Sequence, residues 1–264
     1  MKMKLIENPK IKYESLKRIH MRGNEFCLML IHGYTGSPHD MKMIAERIHE
    51  ETGYTVVVPR LPGHGTNGMD FLSTTHRDWI RRVADEYVDL SSEYDKVFVG
   101  GLSMGGVLTL ILASMFRIPR IVLYAPAVWI TVQRKLPLVS FISLFRKKGL
   151  KRDYAEEKYD DPGMEYLSKE YWRYNWFKQI YEFYKLQKVS WRRLKYVESP
   201  TLVILSKKDG IVPISAGEMI MKNISSREKR MVILEKSGHV ITRDVELDTV
   251  VNETVRWLEG DRLG

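Results

Sequence analysis

The stretch "KVFVGGLSMGGVLTL", residues 96–110, runs from an apolar burst through Ser103, ringed by four glycines, into a second apolar run. It is either a tight turn between buried elements or a mount that holds the Ser103 hydroxyl where it can attack. Gly101-Leu102-Ser103-Met104-Gly105 has the form G-x-S-x-G, which chance alone supplies in about one chain in ten of this length and composition. Context decides more than the pattern does. A reactive serine of this kind must follow a strand and open a helix. "KVFVG" has the apolar character of a strand, and "MGGVLTLILASMF" is apolar almost all round, as a buried helix is. So tight a turn strains the serine backbone, and the flanking glycines remove the Cβ atoms that would collide there.

A serine hydroxyl is a weak nucleophile near neutral pH and needs a base, which in turn needs an orienting acid. On a strand–serine–helix mount these partners follow in the order acid, then histidine. Of seven histidines only His239 comes after Ser103, in "LEKSGHVI", a short loop past the final strand. Asp209, in "TLVILSKKDGIVP", comes three residues past a strand end, in a loop shaped by Gly210 and Pro213. Asp244, five residues after His239, is its rival, and could instead support the histidine loop or start a helix. Asp153, Asp160 and Asp161 fall in a region read below as a cap and are poor candidates. Negative charge developing on a substrate oxygen needs preorganised donors. The Met104 backbone N–H, at a helix N-terminus, is one. The Tyr34 N–H in "IHGYTGSP" is the other, unless that loop is a plain turn between strand and helix. His64, in the Gly- and Pro-rich "PRLPGHGTNG", precedes Ser103 and reads as a structural loop residue.

Around this motif strands alternate with helical patterns, the sign of a mostly parallel sheet covered on both faces. "FCLMLIHG" is a buried strand. "SPHDMKMIAERIHEETG" is a helix capped by Ser37, with Pro38 at its first position and Gly53 at its end. "YTVVVP", "RIVLYAP", "TLVILS" and "RMVILE" are further strands. "HRDWIRRVADEYVDL", "ISAGEMIMKNI" and "LDTVVNETVRWLE" are helices. Residues 127–196 break the rhythm, with "RKLPLVSFISLFRKKGL" and "EYLSKEYWRYNWFKQIYEFYKL" reading as helices without a strand between them. They are either two extra core helices or a cap over the carboxyl ends of the strands, where open α/β sheets bind ligands. Nine aromatic residues between Tyr166 and Tyr184 favour the cap, since one buried face needs fewer. The predicted organisation is a core of residues 1–126 and 197–264 with a helical cap at 127–196.

At 264 residues, with 44% hydrophobic and 28% charged residues, the chain can bury one large core. No run approaches ~18 consecutive apolar residues, so no integral membrane segment is expected. The N-terminal "MKMKLIENPKIKYESLKRIH" develops no apolar signal segment. Cys27, the single cysteine, excludes an internal disulfide, reads as a small buried hydrophobe and points to the cytoplasm. The histidines lack metal-site spacing, and no nucleotide-binding glycine loop is present, so neither metal nor cofactor is expected. The net charge of +9 admits anionic partners. Much of it falls in the basic run Arg134–Arg152, which an acidic stretch follows, an order read as a solvated, internally paired surface rather than a nucleic-acid stripe. Lipid-surface contact by basic residues near the cap remains open.

Taken together, "LIHGYTGSPHDM", "PRLPGHGT", "HRDW", "VGGLSMGGVLTL", "KKDGIVP" and "SGHV" resemble the α/β-hydrolase superfamily, and within it the bacterial carboxylesterase and monoacylglycerol lipase group. The likeness spans residues 26–259 apart from the divergent cap. It implies the α/β-hydrolase fold, Ser103 as nucleophile, Asp209 as acid, His239 as base, and the Tyr34 and Met104 amides as the oxyanion hole. It also implies cofactor-free hydrolysis of short-to-medium acyl esters or monoacylglycerols, small-molecule substrates attacked through an acyl-enzyme. The same three side chains serve acyltransferases, peptidases, C–C hydrolases and perhydrolases, and fold alone does not choose among them. A ligand-sensing module on a hydrolase scaffold is the reading from another class, and a lost triad member would have favoured it. The rings of "YWRYNWF" are expected to form an apolar acyl pocket.

Overall fold

A computed structural model describes residues 11–151, 154–155 and 158–260; Asp153, Arg152 and the first ten residues lie outside the described residues. In chain order the elements are β1 (Ile19–Met21), β2 (Phe26–Ile31), α1 (Lys42–Thr52), β3 (Thr55–Val58), α2 (Gly68–Ser73), α3 (His76–Glu93), β4 (Lys96–Leu102), α4 (Met104–Ala113), β5 (Ile121–Tyr124), α5 (Leu136–Phe145), β6 (Gly149–Leu150), α6 (Pro162–Leu167), β7 (Tyr174–Asn175), α7 (Phe177–Arg193), β8 (Thr201–Ser206), α8 (Ile214–Asn223), β9 (Lys229–Leu234) and α9 (Leu247–Glu259). The main sheet has the order β1-β3-β2-β4-β5-β8-β9. Every neighbouring pair is parallel except β1 with β3.

Alternation along each strand divides the apolar residues between two cores. Met29, Ile31, Val99 and Leu123 face one side, against Trp79 and Val83 of α3 and the buried helix α4. Leu28, Leu30, Val122 and Ile204 face the other, against Ile44 of α1 and Val250 of α9. Both faces are therefore dry, which is why the strands read as continuous apolar runs instead of alternating ones. Cys27 is buried among them, and burial pushes its thiol up to about 12. Among the described residues no helix is long and apolar enough to cross a membrane.

The helix expected after Ser37 begins as a short 3-10 turn, Pro38–Met41, before α1, and Ser37 and Asp40 cap it reciprocally. Gly53 ends α1 in the left-handed region, at φ 68°. Outside residues 127–196, two elements carried no readable pattern. β1 is a three-residue, half-buried edge strand. The six-residue α2 is created by Asn67, whose side chain accepts from the Met69 and Asp70 amides inside a Gly- and Pro-rich loop.

Residues 127–196 depart from the sequence expectation. A strand pair does interrupt the helices: Gly149 and Leu150 pair antiparallel with Asn175 and Tyr174. The aromatic run breaks after a π-turn at Ser168–Trp172, because Trp176 turns inward and donates its indole N–H to the Tyr171 carbonyl at 2.8 Å. Tyr171 and Trp176 are buried, and each packs against Phe71 at 5.5 Å between ring centroids. These two rings of "YWRYNWF" thus anchor the segment instead of lining an open pocket. The Tyr171 hydroxyl donates to the Gly63 carbonyl and accepts from the Thr66 amide, at 2.9 and 3.1 Å. Helix α7 packs on α4 and α3, and α5 packs outside α7.

The pairing expected of the basic run is not seen among the described residues. Among the described residues Arg134, Lys135, Arg146, Lys147, Lys148 and Lys151 form no ion pair. Lys148 lies over the Tyr174 and Trp176 rings, at 4.3 and 5.1 Å. Two of the acids that follow in sequence serve α6 instead. Asp161 caps it through the Met164 amide and also accepts from Ser15, while Glu165 pairs with Lys169.

Candidate active site

Ser103 stands between β4 and α4 with φ 56° and ψ −113°, a conformation that costs a non-glycine residue about 1–3 kcal/mol. The surroundings over-determine it. Its amide donates to the Tyr124 carbonyl at 2.8 Å, and its carbonyl accepts from Ala127 and Val107 at 3.1 and 3.3 Å. The glycines explain how β4 and α4 come so close. A Cβ on Gly101 would strike the Gly105 backbone, and one on Gly105 would lie 2.7 Å from the Ile31 carbonyl carbon and 2.8 Å from the His32 oxygen. Neither position tolerates a side chain without moving a neighbouring backbone.

The structure brings together the three residues singled out as nucleophile, base and acid. His239 Nε2 lies 2.9 Å from Ser103 Oγ, and His239 Nδ1 lies 2.7 Å from Asp209 Oδ2. With Nδ1–H donating to the carboxylate, Nε2 is left as the acceptor for the serine hydroxyl proton. Asp209 Oδ1 accepts from the Ile211 and Val212 amides, at 2.7 and 3.0 Å. Burial pushes the Asp209 carboxyl up, but the hydrogen bonds and charge of His239 and these two amides outweigh it and hold it below the usual carboxylate range. The acid therefore stays ionised where an imidazolium would need it. Ser103 is only 8% exposed and the Asp209 side chain is fully buried.

Asp244, the rival acid, points elsewhere. Its carboxylate accepts from the Gly238 and Val245 amides, at 2.6 and 2.7 Å, and so shapes the loop that carries His239. Glu246 helps from the same side, accepting from the amides of Glu235, Lys236 and Ser237. Sequence analysis missed Glu246, since an acid just before a helix reads as ordinary end polarity.

The loop after β2 meets the serine closely. A Cβ built on Gly33 would sit 3.4 Å from Ser103 Cβ and 3.9 Å from its Oγ. Among the described residues neither the Tyr34 nor the Met104 amide has an acceptor. Both are free to donate, and Met104 opens the ten-residue helix α4, whose N-terminus favours negative charge.

His32 is a further residue that sequence analysis left unassigned. Its Nδ1 lies 3.0 Å from the Gly33 carbonyl, and its Nε2 accepts the Leu61 amide proton at 3.1 Å. Complete burial, then the nearby His64, drives its pKa well below the usual histidine value, so it stays neutral. In a planar trans peptide the Gly33 C=O and the Tyr34 N–H point opposite ways. Holding the carbonyl therefore aims the amide. The "IHG" order was the available signal. Trp172 acts on the same loop from residues 127–196, donating its indole N–H to the Thr35 carbonyl at 3.1 Å, where Thr35 itself has φ 55°. His64 is a buried structural residue, bonded to the Pro62 carbonyl and packed against Phe71 and His32, and burial lowers its pKa to about 4.

The arrangement can draw a proton from Ser103 Oγ, hold the resulting imidazolium against a buried carboxylate and offer two N–H groups to an oxyanion. The chain is similar to several known proteins. The pattern of the Alpha/beta hydrolase family matches residues 28–253. A thermostable monoacylglycerol lipase of Bacillus sp. (strain H-257) is 32% identical over 240 residues, covering 87% of this chain and 89% of that protein. A carboxylesterase of Bacillus subtilis (strain 168) is 27% identical over 255 residues, covering 94% and 98% of the two chains. The solved structure of a metagenome-derived lipolytic enzyme, described with LipS and LipT, superposes with a TM-score of 0.81 at 27% identity, covering 94% of this chain and 98% of that one. With its mostly parallel sheet, its serine turn and a match over most of its length, the chain belongs to the Alpha/beta hydrolase family.

Proposed function

We propose that the protein hydrolyses carboxylic esters through an acyl-enzyme, with Ser103 as nucleophile, His239 as general base and acid, and Asp209 as the orienting carboxylate. The observation that carries this is the unbroken chain from Asp209 Oδ2 through His239 to Ser103 Oγ, on a serine held in a strained turn. His239 Nε2 takes the hydroxyl proton as Oγ bonds to the ester carbonyl carbon. The carbonyl oxygen becomes an oxyanion and accepts from the Tyr34 and Met104 amides, each such donor being worth about 3 kcal/mol of barrier. As the C–O bond to the alcohol breaks, the imidazolium returns its proton to the leaving oxygen. Water, deprotonated by the same nitrogen, attacks the acyl carbon, and Ser103 Oγ leaves with the proton His239 then holds.

Short-to-medium acyl esters or monoacylglycerols are the proposed substrates, a reading supported by relatives named monoacylglycerol lipase and carboxylesterase. Residues 127–196 form the proposed cap on a core of 1–126 and 197–264. Support comes from Trp172 and Tyr171, which bond to the loops following β2 and β3. The cytoplasm is the proposed location, on the ground that the one thiol is buried and unpaired.

The test is labelling by a fluorophosphonate, followed by turnover of nitrophenyl esters of graded chain length and of monoacylglycerols. Ser103→Ala is expected to lose the label and essentially all turnover. Wild-type rates in that variant would falsify the assignment.

A further inference from the structure

Helix α5 carries its largest apolar side chains outward. Leu138 is 63% exposed, Phe141 60%, Leu144 72% and Phe145 80%. Positions 138, 141 and 145 follow helical spacing, so three of the four lie on one stripe, with Leu144 beside it. The Phe141 and Phe145 rings meet edge to face at 5.4 Å, and together the four make one patch rather than scattered surface residues. The inner side of α5 packs on α7, so the patch faces away from the sheet.

The chain on either side of this helix carries charge of one sign. Arg134 and Lys135 precede the helix, and Arg146, Lys147 and Lys148 follow it, all exposed. None of the five is paired with a carboxylate among the described residues, and no acid occurs between Arg134 and Lys151. An apolar stripe flanked by unpaired cations fits a partner that offers both hydrocarbon and negative charge, as an anionic lipid surface does. A second copy of the chain fits less well, because a symmetric pairing through this face would set the basic residues of one copy against those of the other.

We propose that the outer face of α5 is a docking site for an anionic lipid surface. Leu138, Phe141, Leu144 and Phe145 enter the acyl boundary while Arg134, Lys135, Arg146, Lys147 and Lys148 meet the headgroups. The proposal stands apart from the assignment of the hydrolytic residues, since it is read as binding and not as turnover.

The experiment is co-sedimentation of the full chain with vesicles of phosphatidylcholine alone or mixed with phosphatidylglycerol, at low and high salt, with the oligomeric state measured by light scattering. Binding is expected to the mixed vesicles and to weaken with salt. Phe141→Ser with Phe145→Ser should weaken it at least tenfold. Arg134→Gln with Lys147→Gln should weaken it about 25-fold, at about fivefold for each charge near the surface. Both double variants should keep the wild-type melting temperature and wild-type hydrolysis of a water-soluble short ester, which separates lost docking from lost folding. Three outcomes overturn the proposal: no vesicle binding by a monomer, equal binding to neutral and anionic vesicles without salt dependence, or a dimer that the phenylalanine variants split. If the wild-type chain binds vesicles but hydrolyses no ester, docking stands and the functional assignment fails.

Discussion

Replacing Asp209 by asparagine tests whether the acid acts by fixing the histidine tautomer. Oδ1 of Asp209 accepts from the Ile211 and Val212 amides, and Oδ2 faces His239 Nδ1. An asparagine must keep its carbonyl oxygen on the two amides, because turning its NH₂ towards them would set donor against donor. The NH₂ then faces His239 and donates to Nδ1, which moves the ring proton to Nε2. That proton points at Ser103 Oγ, 2.9 Å away, where an acceptor is needed. The base is blocked while the geometry is kept, and buried carboxylate charge no longer stabilises an imidazolium. Comparable substitutions in serine hydrolytic triads lower kcat about 10⁴-fold, close to 5 kcal/mol of barrier. Because both loop hydrogen bonds survive, the melting temperature should change by only about 2 °C, as expected for a stability change below about 1 kcal/mol in a chain of this size. The assay is kcat on a short nitrophenyl ester together with the rate of fluorophosphonate labelling, both normalised to folded protein. Asp244→Asn is the control, and it should lose less than tenfold because Asp244 touches the His239 loop and not the ring. Asp209→Asn within tenfold of wild type, or the reverse ranking of the two variants, would refute the reasoning.

Two further expectations concern the frame of the site. Gly105→Ala places a methyl group 2.8 Å from the His32 carbonyl oxygen and closer still to the Ile31 oxygen. It should destabilise the fold by about 1–3 kcal/mol or more and cut kcat about 10²-fold by shifting the loop that carries the Tyr34 amide. An unchanged melting curve with unchanged kcat would contradict this. Acid should also loosen the protein in two windows. His64 is buried, and its pKa is lowered to about 4 from 6.5, so the unfolded chain binds a proton that the fold refuses. Stability is therefore lost as pH falls from 6.5 through 4, by at most about 3 kcal/mol from this group. Burial pushes Glu182 up, but its bonds from His76 and Lys185 outweigh this and bring it to about 2. That contribution is present above 4.5 and lost between 4.5 and 2, and with Lys185 35% exposed it amounts to about 1–2 kcal/mol after screening. Urea midpoints measured from pH 7 downwards report the first window, and a flat profile between 6.5 and 4.5 would refute the His64 argument.

The parts of the site that were legible are those governed by local rules. Ser103 was readable because a strand, a glycine turn and an all-apolar helix must occur together for the backbone to reach φ 56°. His239 was readable because no other histidine follows the serine. Of the two candidate acids, sequence order favoured Asp209, which precedes His239, over Asp244, which follows it. What separates them is the turn at Ile211 and Val212, which fixes one carboxylate against His239, while Gly238 and Val245 draw the other away. His32 and Trp172 were not legible, since each acts on the loop after β2 through a contact whose partner no periodicity points to.

Residues 127–196 show the same limit from the opposite side. Nine aromatic residues between Tyr166 and Tyr184, more than one buried face needs, pointed to a cap, and the rings of "YWRYNWF" pointed to an acyl pocket. Tyr171 and Trp176 instead turn inward on Phe71, because each has a polar atom that finds a backbone partner there: the Tyr171 hydroxyl at Gly63 and the Trp176 indole at Tyr171. Phe141 and Phe145 of α5 have no such atom and no such neighbour, and they remain outside. Composition treats these four rings alike. Their hydrogen-bonding capacity separates the two that tie residues 127–196 to the loops beside Ser103 from the two left to meet something apolar. The unpaired cations around the outer pair then narrow what that something is, because a surface carrying both hydrocarbon and negative charge satisfies rings and cations together.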